Sequence, residues 1–227
     1  MFKKLALLGL GALLPLLAGA APELRIYERT LQENKEKDFD TANREHWTAA
    51  LAEEKGTLSL YSTSPLADST RVLFIEIYAS PTAYQAHLRQ PAQQRYSERA
   101  PEFLDESQKQ SYELVPVILA ERPTPLSVLQ RQKSAFLSLE KFTLKPDSRP
   151  EQVIGYMKSK VWALQNRLRA VYGAQDARDP RTFYYVRIGE EPLHADDALR
   201  LIASSYEFIP LRNRVLLSRG GLTYLRP

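Results

Sequence analysis

Residues 71–88, RVLFIEIYASPTAYQAHL, decide the fold of this chain. Within this stretch, residues 72–78 alternate between two faces, as expected of a β-strand whose side chains point to opposite sides of a sheet. One face is purely aliphatic and the other is mixed. The aliphatic face consists of Leu73, Ile75 and Ile77, and the mixed face of Val72, Phe74, Glu76 and Tyr78. The pattern predicts a strand that packs against two different layers.

A helix is predicted directly after this strand. Ser80 can accept hydrogen bonds from the open amides of a helix N-terminus, and Pro81 suits the first helical position. At helical spacing, Tyr84, His87 and Leu88 then share one face. The stretch therefore predicts a strand and a capped helix that carry several candidate site residues close together.

The order of these residues resembles a known family. A strand with Glu76 and Tyr78, followed by a short helix with Tyr84 and His87 and then by Pro91, is similar to the antibiotic biosynthesis monooxygenase family of dimeric α/β barrels, which includes quinol monooxygenases. The resemblance extends over about residues 23–120. It implies a ferredoxin-like βαββαβ unit, and an oxygenase that needs no metal or prosthetic group.

A second unit of the same kind is predicted in the C-terminal half. Residues 61–88 align without gaps on residues 172–199, at a constant offset of 111, which places Pro81 on Pro192. The matched positions also carry the same predicted elements, as expected of duplicated structural units. We therefore predict an α+β fold in which two ferredoxin-like βαββαβ units are fused into an intramolecular dimeric α/β barrel. Each sheet has one face for its own helices and one for the partner sheet.

The chain divides into three predicted segments. Residues 1–20 contain two lysines, an apolar run and a small-x-small end, which is typical of a secretory signal peptide. A retained membrane anchor is the alternative, although the apolar run is short for a bilayer. The prolines of RPTP, residues 122–125, stiffen the chain and stop neighbouring elements from running through. We thus expect a signal peptide, a first unit at residues 21–122 and a divergent second unit at residues 123–227, in a periplasmic or secreted protein without a stable membrane anchor.

Two further helices are predicted in this arrangement. Residues 93–106 are predicted to be helical in part, with an interruption at Pro101. Residues 150–169 are predicted to form one long helix that begins near Pro150. Strands are predicted at residues 111–120, 136–144 and 182–189.

Composition excludes several classes of function. The chain has no cysteine, which excludes disulfides, thiolate metal sites and a cysteine nucleophile. Its three histidines lack ligand spacing, so no metal site is expected. The family resemblance implies that no other cofactor is needed, and haem enters only under the alternative of a binding module. The net charge of +4 is spread without a basic block, so nucleic-acid binding is not expected. Because each unit covers the apolar sheet face of the other, we expect a monomer.

His87 is the predicted catalytic residue. Its ordinary pKa lies near 6.5, and a helix face that looks into a pocket would position it as a general base. The alternative is a structural histidine that is hydrogen-bonded at the junction of helix and sheet. The sequence leaves both interpretations open.

Five further residues are predicted to bind the substrate. Asn43 and Trp47 share a helix face and can hold a flat aromatic ring by hydrogen bonding and stacking, although a Trp packed on the sheet beside a solvated Asn is the alternative. Glu76 lies on the mixed strand face beside Tyr78, where it is either a binding residue or half of a structural ion pair. Tyr84 completes the set. His46 is adjacent to Trp47 and therefore points about 100 degrees away, so we expect one of the two to face solvent or a rim.

The repeat also shows where the two units differ. At the offset of 111, Glu76 falls on Arg187, Tyr78 on Gly189 and His87 on Ala198. The second unit has lost the motif. We therefore expect the ligand pocket in the N-terminal unit, while the C-terminal unit mainly completes the barrel.

Two functions fit these observations. In the first, a base removes a proton from a quinol or a related aromatic compound, and the resulting anion reacts directly with dioxygen. In the second, the same pocket binds a small aromatic or apolar ligand, or haem, without turnover. The sequence does not distinguish between the oxygenase and the binding module.

Overall fold

The computed structural model describes residues 21–123, 135–165 and 167–227. The predicted signal peptide lies outside the described residues. So do Thr124 and Pro125 of the predicted boundary. Within the described part of the chain, no helix is long and apolar enough to cross a membrane.

The first unit follows the predicted element order. Its elements are β1 (Glu23–Leu31), α1 (Glu36–Glu53), β2 (Thr57–Pro65), β3 (Arg71–Tyr78), α2 (Pro81–His87), α3 (Pro91–Arg99), β4 (Leu104–Tyr112) and β5 (Leu114–Glu121). The capped start of α2 is confirmed, since the Ser80 side chain accepts a hydrogen bond from the Ala83 amide. The predicted helix over residues 93–106 is wrong in its second half. The chain leaves α3 through a 3-10 turn at Ala100–Glu102 and enters β4, where pairing with β1 replaces helical hydrogen bonds.

The second unit repeats the βαββαβ order, without a counterpart of α3 among the described residues. Its elements are β6 (Phe136–Leu144), α4 (Pro150–Ser159), β7 (Leu168–Asp176), β8 (Thr182–Gly189), α5 (Asp197–Ile202), β9 (Ala203–Ser218) and β10 (Thr223–Leu225). The predicted long helix over residues 150–169 is wrong, because α4 ends at Ser159 and continues only as a 3-10 turn at Lys160–Gln165. β7 then pairs with both β5 and β8, and this tertiary pairing overrides the local helical pattern.

The strands close into a barrel. In each unit the last strand crosses to the other unit: β9 pairs with β6 and then with β2, while β4 pairs with β1 and its continuation β5 pairs with β7. Only Glu113 separates β4 from β5. The pairing order β1, β3, β2, β9, β6, β8, β7, β5 therefore returns to β1 through β4, and all these pairs are antiparallel. This is the predicted fusion of two ferredoxin-like units into one α/β barrel.

The two faces of β3 pack as the alternation predicted. Leu73, Ile75 and Ile77 lie in the barrel interior, in one apolar cluster with residues of β6, β7 and β8 from the second unit. Phe74 and Tyr78 face outward and pack against the helices of the first unit. A third cluster fills the space beneath α4 and α5. The interior thus belongs to both units, and each outer layer consists of the helices of one unit packed on strands of both.

Candidate functional site

The candidate site lies on the outer face of β3, beneath α1, α2 and α3. This face buries Glu76, which is only 4% exposed, between Phe74 and Tyr78. Its carboxylate accepts hydrogen bonds from the hydroxyls of Tyr27 and Tyr78, the second at 3.0 Å. Burial raises the pKa of both phenols, and the charge of Glu76 raises it further. Two phenols therefore satisfy this carboxylate.

His87 is buried at the end of α2 and is paired with a carboxylate. Its Nδ1 lies 2.8 Å from Oε2 of Glu54, and Thr57 donates a hydrogen bond of 2.6 Å to the same oxygen. Burial alone would raise the pKa of Glu54, but the hydrogen bonds from His87 and Thr57 outweigh it and lower that pKa. A carboxylate in this position fixes the orientation of the imidazole.

His46 lies next to His87 and is also buried. Its ring centroid is 5.4 Å from that of His87 and 4.8 Å from that of Tyr96, on which it stacks. Neither ring nitrogen of His46 has a hydrogen-bond partner among the described residues. Burial lowers the pKa of His46 to about 3, and the neighbouring His87 lowers it in the same direction. The imidazole is therefore neutral at physiological pH.

The prediction that either His46 or Trp47 faces solvent or a rim is wrong as regards solvent, because both side chains are buried. His46 is 6% exposed and Trp47 only 1%. Trp47 packs edge-on against Phe74 of the sheet, while His46 packs against Tyr96 of α3. Because α1 is covered by the sheet on one side and by α3 on another, two adjacent sectors of this helix are buried.

The other predicted binding residues surround this cluster. Asn43 donates a hydrogen bond of 3.0 Å from Nδ2 to the Ser62 hydroxyl, and its Oδ1 is buried without a partner. The ring of Tyr84 lies 5.2 Å from that of Tyr78. The Arg25 guanidinium covers the Tyr84 ring at 3.9 Å. These side chains form a packed wall rather than an open pocket.

A cleft of about 200 Å³ opens between α1 and α3. Three alanines line it, together with Glu45, His46, Arg95, Tyr96 and Arg99. None of the six predicted site residues lines this cleft, and His46 is the residue that joins it to them. Two signals in the sequence point to it, since small residues recur at helical spacing on α1 and a second short helix follows Pro91. Metal-ligand clusters are absent from the part of the chain that the structure describes.

Comparisons with known proteins agree with this architecture. Residues 25–99 match the family model of antibiotic biosynthesis monooxygenases. Among curated proteins, none is significantly similar in sequence to this chain.

Three solved structures that resemble the chain cover nearly its whole length. A "putative monooxygenase" from Fusobacterium nucleatum subsp. nucleatum superimposes with a TM-score of 0.78 at 18% identity, covering 92% of this chain and 99% of that one. Another "putative monooxygenase", from Lactobacillus acidophilus, gives 0.75 at 15% identity, covering 90% and 99%. An anthrone oxidase-like protein gives 0.50 at 11% identity, covering 87% and 93%. Full coverage of the first two confirms that both units together form the recurring fold.

Proposed function

We propose that the protein oxygenates a small electron-rich aromatic molecule, a quinol or a related phenol, without a metal or prosthetic group. The match of residues 25–99 to the family model of antibiotic biosynthesis monooxygenases supports this proposal. The reaction takes place in the N-terminal unit. The observation that carries the proposal is the pair of unpartnered nitrogens on His46, which lies at the wall of the cleft. A buried polar group without a partner is costly, and a ligand hydroxyl in the cleft supplies the missing hydrogen bond.

Proton removal uses both histidines. His46 contacts the substrate hydroxyl. Because the pKa of His46 is lowered to about 3, this imidazole does not keep the proton. His87 lies beside it, and its imidazole is hydrogen-bonded to the Glu54 carboxylate. The proton therefore passes from the substrate through His46 to His87, directly or through one water molecule. In this scheme His87 is the final base, as the sequence indicated, and His46 is the contact with the substrate.

Charge at the cleft favours the substrate anion. Arg95 and Arg99 line the cleft opposite a single carboxylate, that of Glu45. Arg99 also lies 3.7 Å from the Glu102 carboxylate, so the guanidinium of Arg95 is the group that stabilises a phenolate, which is far more reactive toward dioxygen than the neutral phenol. Tyr96 supplies a ring against which the substrate packs.

The chemistry balances without an external reductant. The anion reacts with dioxygen and a carbon–oxygen bond forms. The resulting hydroperoxide takes back the proton from His87 and loses water, leaving a hydroxylated quinone. One quinol and one dioxygen thus give one hydroxyquinone and one water.

The volume of the cleft favours this function over haem binding. Pockets for drug-sized ligands measure about 300–1,000 Å³, whereas this cleft measures about 200 Å³. A ligand of one or two rings fits that space better than a porphyrin. A binding module for a small aromatic molecule, without turnover, is the alternative function. In both functions, the wall behind the ligand consists of Asn43, Trp47, Glu76, Tyr78 and Tyr84.

The proposed function includes the compartment in which the protein acts. We propose that the signal segment directs the protein to the periplasm or beyond the cell, and that it acts there as a monomer. Mass spectrometry of the exported protein should find Ala21 at its N-terminus. An intact chain beginning at Met1 would contradict export with cleavage.

Oxygen uptake tests the proposed reaction. The purified protein is mixed with a naphthohydroquinone under ¹⁸O₂, and heat-unfolded protein provides the background of autoxidation. The proposal requires uptake above that background and one heavy oxygen atom in the hydroxylated product. Binding without uptake would establish the alternative.

A further inference from the structure

A second cleft, of about 520 Å³, lies in the C-terminal unit on the outer face of β8. Its walls come from the end of α4 and the following 3-10 turn, from β8 itself, and from the chain that leads into α5. It is larger than the cleft between α1 and α3. The loss of the sequence motif in this unit is therefore not accompanied by loss of a cavity.

The connection between strand and helix differs here from that in the N-terminal unit. There, only residues 79 and 80 separate β3 from α2, and the rings of Tyr78 and His87 lie 5.3 Å apart. Here, residues 190–196 separate β8 from α5, and residues 191–196 line the second cleft. The longer connection thus builds one wall of this cleft.

Two buried polar groups at this cleft have no hydrogen-bond partner in the part of the chain that the structure describes. The first is the hydroxyl of Tyr185, a residue that is 0% exposed, and the second is Nε of Arg187. Both residues line the cleft from the same face of β8. Because buried donors are almost always satisfied in native proteins, this pair marks the place of a missing acceptor.

The charges around these donors are already balanced. The Arg187 guanidinium forms an ion pair with the fully buried carboxylate of Glu140. At the edge of the cleft, Lys160 lies 3.6 Å from Asp196. A ligand carboxylate beside Arg187 would also meet the charge of Glu140. The site therefore suits a neutral acceptor better than an anion.

Part of the remaining surface provides apolar contacts, beside the polar residues Arg167, Glu191, His194 and Asp197. Ala163, Leu168 and Leu193 line it, and Tyr156 contributes an aromatic ring. We propose that this cleft binds a neutral aromatic carbonyl compound, whose rings lie against these side chains while its carbonyl oxygen accepts hydrogen bonds from Tyr185 and Arg187. A carbonyl oxygen has two lone pairs and can accept from both donors. This proposal does not depend on oxygenation in the N-terminal unit.

Calorimetric titration with three matched probes tests the proposal. The probes are 2-acetylnaphthalene, a neutral ketone, 2-ethylnaphthalene, which lacks the oxygen, and 2-naphthoate, which is charged. The ketone should bind about three- to tenfold more tightly than the hydrocarbon, as expected for a net hydrogen bond. It should also bind more tightly than the carboxylate. Equal affinity of ketone and hydrocarbon, or a preference for the carboxylate, would overturn the proposal.

Variants assign the binding to this cleft. Tyr185→Phe should remove most of the preference for the ketone while its melting temperature stays equal or rises, because the hydroxyl has no partner to lose. Tyr224→Phe removes a hydroxyl elsewhere and should change nothing. Ala163→Phe fills the cleft and should abolish binding, whereas His46→Phe, in the other unit, should leave it intact. Loss of binding in His46→Phe together with retention in Tyr185→Phe would place the ligand in the N-terminal unit and refute the second site.

Discussion

The hydroxyl groups of Tyr61 and Tyr172 lie 2.7 Å apart inside the barrel, and these two residues occupy equivalent positions of the two units, 111 residues apart. Equivalent residues of a two-fold arrangement meet only beside the axis that relates them. Both hydroxyls also donate to Oε1 of Glu121, at 2.8 and 2.5 Å. The two units are therefore joined at their axis by one buried carboxylate.

This junction should be important for stability. Glu121 also accepts hydrogen bonds from Ser59 and Ser218. Hydrogen bonds to a charged group contribute about 1.5–3 kcal/mol each. Tyr172→Phe should therefore lower the free energy of unfolding by about 2 kcal/mol and Glu121→Gln by about 2–4 kcal/mol. Urea denaturation measures both. Tyr224→Phe is the matched control and should change the free energy of unfolding by less than about 0.5 kcal/mol. A loss of about 2 kcal/mol in this control as well would show that the hydrogen bonds to Glu121 are not the cause of the loss in Tyr172→Phe.

His46 should make the protein sensitive to acid. The folded pKa is about 3 and the unfolded value is about 6.5. Between these values the unfolded chain binds a proton that the folded chain does not, so stability is lost as the pH falls. From pH 7 to pH 4 the wild type should lose about 3 kcal/mol through this residue. Denaturant titrations of His46→Phe at pH 7 and at pH 4 should not show this difference in stability. An equal loss of stability in wild type and His46→Phe would show that His46 is protonated in the folded state.

The same substitution should stabilise the protein at neutral pH. Two buried nitrogens of His46 have no partner, and a phenylalanine ring preserves the stack on Tyr96 without burying polar atoms. We expect a gain of about 1 kcal/mol or more in the free energy of unfolding. A functional residue that is kept at the expense of stability has this signature. A loss of stability in His46→Phe would instead indicate a structural role.

His87 should respond differently to two substitutions. His87→Ala leaves a cavity and removes a partner of Glu54, so it should cost about 2–3 kcal/mol of stability. His87→Gln retains a donor toward Glu54 but cannot carry a proton, and its stability should fall by less than about 1 kcal/mol. Both should lose oxygen uptake if His87 is the final base. A stable His87→Gln protein with full uptake would remove His87 from the relay.

Separation of the two units should expose the barrel interior. Residues 21–122 alone lack β9, which pairs with β2, and β7, which pairs with β5. They also expose Leu73, Ile75 and Ile77, which face the second unit. The fragment should therefore self-associate or aggregate, while the whole protein is monomeric. Size-exclusion chromatography with light scattering measures both, and a well-behaved monomeric fragment would contradict the fused barrel.

Local patterns were sufficient to predict the main features of the fold. The alternation in β3 separated the barrel interior from the helical layer because a sheet side chain has only two directions. The offset of 111 predicted two equivalent units, and the contact between Tyr61 and Tyr172 has that spacing. The capped start of α2 needed only the residues beside it.

Features that depend on packing between distant elements were missed. The path of β7 is set by β5 and β8 on either side of it, which a local helical pattern does not reveal. The inward position of His46 depends on how α3 lies across α1. No short-range signal separates a histidine beneath a second helix from one at the surface, so the sequence pointed to His87 alone.

Initial rates of oxygen uptake in wild-type protein, His46→Phe and Tyr185→Phe test the central claim most directly, namely that oxygenation takes place at the cleft between α1 and α3. All three proteins are first shown to be folded by circular dichroism. Removal of a group that transfers the proton typically lowers the rate by about 100-fold or more. The account predicts that loss in His46→Phe and a wild-type rate in Tyr185→Phe, which lies in the other unit. A wild-type rate in folded His46→Phe would contradict it.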